Sequence, residues 1–239
     1  MCGKFTAMMT WREYCALARV GTDGGSGSGA DPIDPNKVLG LFTPMSHIPV
    51  LHLGPVRQRR FTVMRWGWPD DRRGQDPSGQ FRWLHARAEV IDTTPAWIEA
   101  FHDGARGVIF TKEFNIGEEL PNGKTKQWIC RRIDREPVAM PVLFTSRDLL
   151  PGKMWGFVMV TQEAIEPLHD RDNRMPALLE MEDVPAWLGE LGATEAELKA
   201  ALLKSYSAEL EIREQPTKPK APRNTTRAKP NKSQGPSLF

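Results

Sequence analysis

Between residues 48 and 161 the chain returns repeatedly to short apolar, β-branched or aromatic runs: "IPVLHL", "FTVMRWGW", "GVIF", "KQWICRRI", "PVLF" and "WGFVMVT". Each is of strand length and too short for a stable helix, and turn-forming residues separate them. That recurrence predicts a mainly antiparallel sheet, or a partly closed barrel, as the body of the fold.

Helical patterns interrupt and follow the strands. "TWREYCALARVG" places Thr10 as a cap, Glu13 three residues on as in a capping box, and Gly21 as a stop. "TTPAWIEAFHDG" runs from Thr94 and Pro95 to Gly104, "DVPAWLGEL" is a short segment, and "TEAELKAALLKSY" carries a second capping box at Thr194 and Glu197. Strands and helices do not alternate strictly, so the expected class is α+β, not a parallel doubly wound sheet. No internal repeat is present.

The length of 239 residues, 40% hydrophobic and 26% charged, suits one domain with a sizeable core. No apolar run is long enough to span a bilayer, and the N-terminus lacks the basic-then-apolar layout of a signal peptide. Cys2, Cys15 and Cys130 are widely spaced, which suggests neither a disulfide framework nor a zinc site and fits a reducing compartment. The stretch 22–37, rich in Gly and Ser and then Asp-Pro, reads as a mobile surface loop inside the domain. The net charge of +2 is uneven: six Lys or Arg and no Asp or Glu follow Glu214, leaving −4 for the residues up to it. The division predicted is a domain over 1–212 and a basic disordered tail over 213–239, which either binds nucleic acid electrostatically or serves solubility.

Cys2 directly follows the initiator methionine. Once that methionine is removed, one residue carries both an α-amine, with a pKa of roughly 7.7 to 8.0, and a thiol near about 8.5. Such a pair can trap an aldehyde, the amine forming an imine and the thiol closing on it to give a thiazolidine. The competing reading is a small buried cysteine. Arg65, Trp66 and Trp68 put a cation beside two large aromatics at a strand end, a combination suited to unpaired bases and phosphate if the turn pushes them outwards, and to the core if it does not. Trp66 and Trp68 would share one face of the strand. In "LHARAEV", Arg87 and Glu89 alternate with alanines, so that a carboxylate lies beside a guanidinium, either as a proton carrier or as a surface ion pair. His169 stands among Asp170, Arg171, Asp172 and Arg174, where a histidine can do acid or base work or be merely solvated.

Taken in order, Met-Cys-Gly-x-Phe at the N-terminus, Arg-Trp-Gly at Arg65, Ala-Arg-Ala-Glu ending at Glu89, a His ahead of Arg-Met-Pro at Arg174, and Ala-Trp-Leu ending at Leu188 resemble the SOS-response-associated peptidase (SRAP) family. The resemblance implies a compact α+β domain that crosslinks abasic sites in single-stranded DNA. Cys2 is then the nucleophile, Glu89 orients or deprotonates the α-amine, and His169 moves protons during imine formation and reversal. Arg65, Trp66 and Arg87 become phosphate-binding and base-stacking residues, with Trp68 and Arg174 added to the DNA-contacting set. It further implies autoproteolytic loss of the leading methionine, no metal or organic cofactor, a monomer, no membrane, a cytoplasmic or nucleoid location, and a tail that adds nonspecific DNA contacts.

Three departures accompany the resemblance. Leu41 falls where the family's asparagine is expected, leaving Ser46 or His47 to take over its role; Phe114 alone survives of an expected Gly-Phe-Tyr-Glu-Trp strand; and His169 stands three residues farther from Arg-Met-Pro than is usual. Two other readings remain beside the crosslinker. One is an N-terminal-nucleophile peptidase, and the other a non-covalent binder of single-stranded DNA.

Overall fold

The apolar runs become strands because their alternating side chains are buried on both faces, one against helices and the other against a second sheet. The structure, a computed structural model, describes residues 3–21, 40–69, 83–149 and 152–216. In chain order the elements are β1 (Phe5–Ala7), α1 (Trp11–Ala18), β2 (Gly40–Phe42), β3 (His47–Leu53), β4 (Arg59–Trp66), β5 (His85–Arg87), α2 (Ile98–His102), β6 (Arg106–Thr111), β7 (Glu113–Glu119) and β8 (Thr125–Arg132). They continue as β9 (Val138–Leu149), β10 (Gly152–Glu163), β11 (Arg174–Pro176), α3 (Val184–Leu188), α4 (Glu195–Leu203) and β12 (Leu210–Glu214).

Strands β4, β3, β6, β9 and β10 pair in that order, and β10 pairs again with β4, so the sheet closes into a barrel. The closing pair is parallel, Gly156 opposite Arg65, while the other barrel pairs are antiparallel. Along β10, β5 continues the parallel contact with Ala86 opposite Val160, and β11 adds an antiparallel edge with Arg174 opposite Glu163. A second, antiparallel sheet has the order β12-β8-β7-β1-β2. The class is α+β as expected, and the barrel is closed.

Two apolar clusters divide the core. One joins Leu51, Phe61, Phe110, Val158 and Val160 of the barrel to Trp11 and Tyr14 of α1, Phe101 of α2 and Trp187 of α3. The other joins Ile48, Met64, Val142 and Phe157 to Phe5, Phe42, Phe114 and Cys130 of the second sheet. Tyr14 ties α1 down, its hydroxyl donating to Pro49 O at 3.1 Å and accepting from Phe110 N–H at 3.2 Å.

Both capping boxes form as read, at Thr10 with Glu13 and at Thr194 with Glu197. Two helix ends differ from expectation. Helix α1 ends with Arg19 in the left-handed region (φ 54), whose N–H is shared between Ala16 O and Cys15 O, before the chain reaches Gly21. Helix α2 begins at Ile98, because Trp97 (φ −140, ψ 6) breaks helical geometry three residues after Thr94. The expected loop over 22–37 lies outside the described residues, as does the tail beyond Pro216. Residues 213–214, assigned by sequence to the tail, complete β12 against β8.

Candidate functional site

Strand β1 is short, yet it is held on both sides, Phe5 lying opposite Phe42 of β2 and Phe114 of β7. Its phenyl ring packs on Phe42 at 5.3 Å and on Trp66 at 5.7 Å. One residue back, Lys4 O accepts from Asn115 N–H at 3.0 Å and Lys4 Nζ donates to Gln215 Oε1 at 2.6 Å. Antiparallel to β7, the chain runs backwards from Phe5 in the direction in which β7 advances to Ile116, the partner of Trp128 on β8. A Cβ placed on Gly3 would meet nothing within 4 Å, so this approach is open. Cys2 itself lies outside the described residues.

Trp66 and Trp68 do not face outwards. Gly67 has φ 146, a conformation that side chains rarely adopt, and its N–H donates to Phe157 O at 2.8 Å, so the turn folds back onto β10. Trp66 is 0% exposed, between Phe5 and Phe157, with its indole N–H on Leu84 O at 3.0 Å. Trp68 is 8% exposed, and its ring meets Trp97 edge-on in the other cluster. The two indoles therefore occupy opposite sides of the barrel wall, because the glycine interrupts strand alternation. Base stacking on either is corrected to core packing, since neither ring offers a free face. Arg65 is partly buried, and burial draws its pKa down from the ordinary value.

Glu89 lies in a single 3-10 turn, Ala88–Val90, that follows β5. Its carboxylate is gripped by Arg174, Nη1 to Oε1 at 2.6 Å and Nη2 to Oε2 at 3.1 Å, and Oε1 also accepts from Glu163 N–H at 3.2 Å. Arg174 Nη2 donates as well to Thr161 O at 2.8 Å and Thr161 Oγ1 at 3.0 Å. The cluster thus ties β5, β10 and β11 together. Burial works to raise the Glu89 pKa, but the Arg174 guanidinium and the Glu163 N–H more than offset it, and the carboxyl ends below its usual value. A carboxylate held this way is a weak base and a firm anchor. Arg174, with 13% of its side chain exposed, spends its donors on this cluster.

Arg87 is exposed at the end of β5, between the buried Ala86 and Ala88. His169 sits on a turn whose N–H groups point back to Ile165 O, half exposed, with Nε2 4.0 Å from Glu163 Oε1. The Glu163 carboxylate is thus near His169 while its N–H is on Glu89, which sets His169 at the edge of the Glu89–Arg174 cluster and not in contact with it. Leu41 is exposed on the edge strand β2, and Ser46 Oγ accepts from Thr43 N–H at 3.1 Å within a turn, its O–H remaining a donor.

Two features escaped sequence reading. His85 on β5 meets the Trp66 ring edge-on at 6.0 Å, one aromatic ring away from Phe5. Trp128 on β8 carries two cations, Arg171 at 4.3 Å and Lys126 at 4.5 Å from its ring centroid, while its indole N–H donates to Glu118 Oε2 at 2.7 Å. Period-two alternation with Cys130 could have put Trp128 on the inner face, but its contact with Arg171 joins segments far apart in sequence.

Among the described residues no group of three or more His, Cys, Asp or Glu side chains is arranged to hold a metal ion. Nor is any described helix long and apolar enough to cross a membrane.

A family model described as SOS response associated peptidase (SRAP) matches residues 1–218. No curated protein matches the chain. Among solved structures, a protein from Bacteroides thetaiotaomicron superposes with a TM-score of 0.70 at 16% identity, covering 89% of this chain and 91% of that one. A Bordetella bronchiseptica protein gives 0.68 at 16% identity, covering 90% and 100%. A phage-related protein from the same organism gives 0.66 at 16% identity, covering 90% and 95%. At that identity the likeness is one of fold.

Proposed function

Since the chain belongs to the SOS response associated peptidase family, which ties it to the response to DNA damage, we propose that it traps abasic sites in single-stranded DNA covalently through Cys2. The observation that carries this reading is the seating of β1. Held between β2 and β7, with Lys4 hydrogen-bonded on both its backbone and side chain, it gives the segment bearing Cys2 a fixed base beside open space.

The chemistry follows from the two nucleophiles of a mature N-terminal cysteine. The α-amine adds to the ring-opened aldehyde and water leaves, giving an imine; the thiol then adds across the C=N bond, its proton passing to nitrogen, and the thiazolidine closes. No redox partner is needed. Glu89, held ionised by Arg174, is assigned to orient charge and hydrogen bonds, and His169, accessible on its turn, to carry protons. Arg87 is the exposed cation of β5 for a phosphate.

Intact mass spectrometry tests this, on protein incubated with an oligonucleotide bearing one abasic site. Loss of methionine and an adduct of protein plus oligonucleotide minus water are expected, and Cys2→Ala should form none. An adduct that persists in Cys2→Ala, or a mature Cys2 that forms none, would overturn the proposal. The exposed Leu41, which offers no hydrogen-bonding side chain, favours one second reading, a non-covalent binder of single-stranded DNA, for which salt-sensitive binding indifferent to Cys2→Ala is expected.

A further inference from the structure

We propose that Arg171, stacked on Trp128, is a phosphate contact for a single strand of nucleic acid entering beside the N-terminal segment. The inference rests on the reading of the chain as a DNA-acting protein and adds a contact to it. The guanidinium carbon of Arg171 lies over the Trp128 ring, 4.3 Å from its centroid, and a cation seated on an aromatic face keeps N–H donors for a further partner.

Charge matching singles Arg171 out from its neighbours. Lys126, on the same indole, is paired with Glu214 at 2.9 Å, while Glu118 accepts the indole N–H at 2.7 Å and forms no ion pair with Arg171. Arg174, three residues on, is consumed by Glu89 and Thr161. Arg171 engages no carboxylate among the described residues, and so it is the cation of this cluster left for an outside anion.

The turn that carries it is already ordered. Leu168 is fully buried, its O accepts from Arg171 N–H at 2.8 Å and from Asp172 N–H at 3.1 Å, and Asp172 Oδ1 in turn accepts from Arg174 N–H at 3.1 Å. A preordered cation on a rigid indole loses little entropy when a phosphate arrives. The location fits as well. Trp128 is opposite Ile116, toward which the chain runs back from β1, and His169 is two residues from Arg171 on the same turn. A phosphate at Arg171 would hold the strand next to both.

The test is titration of a fluorescent single-stranded oligonucleotide against full-length protein over a range of salt. Removing one phosphate contact should lower the slope of log K against log salt by about 0.7. Arg171→Gln is expected to show that loss and weaker binding, whereas Lys126→Gln, an internally matched charge, should keep the slope. Thermal melts check folding, and Arg171→Met, which keeps an aliphatic stem on the indole without the charge, serves if Arg171→Gln folds poorly: it should show the same fall in slope, and an unchanged slope in it overturns the contact equally. An unchanged slope and affinity in folded Arg171→Gln, with the abasic adduct still formed, overturns this contact and leaves the crosslinking reading standing. A wild-type protein that neither binds the strand nor reacts with an abasic site overturns both.

Discussion

A carboxylate and a histidine show how far environment sets the behaviour of a residue type in this protein. Glu89 is spoken for by Arg174, so its strength as a base is reduced while its position is secured. His52 shows the opposite case, an imidazole held neutral. It is buried in β3, Nδ1 donating to Leu53 O at 2.9 Å and Nε2 accepting from Thr62 Oγ1 at 2.8 Å, with Phe144 edge-on at 4.9 Å. Burial drives its pKa from 6.5 down to about 4, the bond to Leu53 O opposing and the charge of Arg60 assisting. Between those values the unfolded chain binds a proton that the folded chain does not. The stabilisation is therefore complete above pH 6.5 and is lost as pH falls toward 4. Urea unfolding across that window should show wild type losing about 3 kcal/mol more than His52→Gln, an amount set by the shift at ~1.4 kcal/mol per pH unit. Equal slopes for the two proteins would show that His52 does not titrate in this way.

At the scale of elements, close approach of backbones governs where barrel strands can lie. Gly107 on β6 faces β3 and β9 so closely that an added Cβ would come within 2.5 Å of Val50 Cγ1, 2.9 Å of Leu51 O and 3.2 Å of Val142 Cγ2. The Leu51 carbonyl belongs to the ladder and has no rotamer to escape into. Gly107→Ala should therefore cost about 2 kcal/mol, the usual penalty of overpacking, measured as a lower urea midpoint with an unchanged m-value. The turn at Gly67 works by the same principle. Its positive φ and its bond to Phe157 O send Trp66 and Trp68 to different clusters, which the alternating pattern of "FTVMRWGW" does not reveal.

For the whole molecule, the helices and the barrel meet through a few polar staples set among apolar contacts. Arg106, at the start of β6, donates from Nε to Trp187 O at 2.7 Å and from Nη1 to Phe101 O at 2.7 Å, and its guanidinium lies 5.9 Å from both aromatic rings. Trp187 closes the triangle with its indole N–H on Gly107 O at 2.9 Å. One side chain thus fixes α2 and α3 to the barrel. Arg106→Ala should lower stability by about 3 kcal/mol, as two charge-assisted bonds and their acceptors are lost together, with Arg106→Lys recovering little because it lacks the fork. Chemical denaturation of both variants checks this, and near-native stability in Arg106→Ala would show the helices to be held by apolar packing alone.

Much of this architecture is legible in the linear chain because it depends on local chemistry. The six apolar runs are strands because their side chains alternate, and Thr10 and Thr194 cap helices because each has a glutamate three residues away. The ordered motifs from "MCGKF" to "RMP" likewise carry the family without any coordinates. What sequence could not contain is the pairing of distant segments. Closure of the barrel through the parallel contact of β4 with β10, the burial of Trp66 and Trp68, the gripping of Glu89 by Arg174 85 residues away, and the stacking of Arg171 on Trp128 all arise between residues far apart along the chain. Local patterns specify which face of an element is apolar; which partner covers it, and which charges are consumed in doing so, is settled only when the chain has closed on itself.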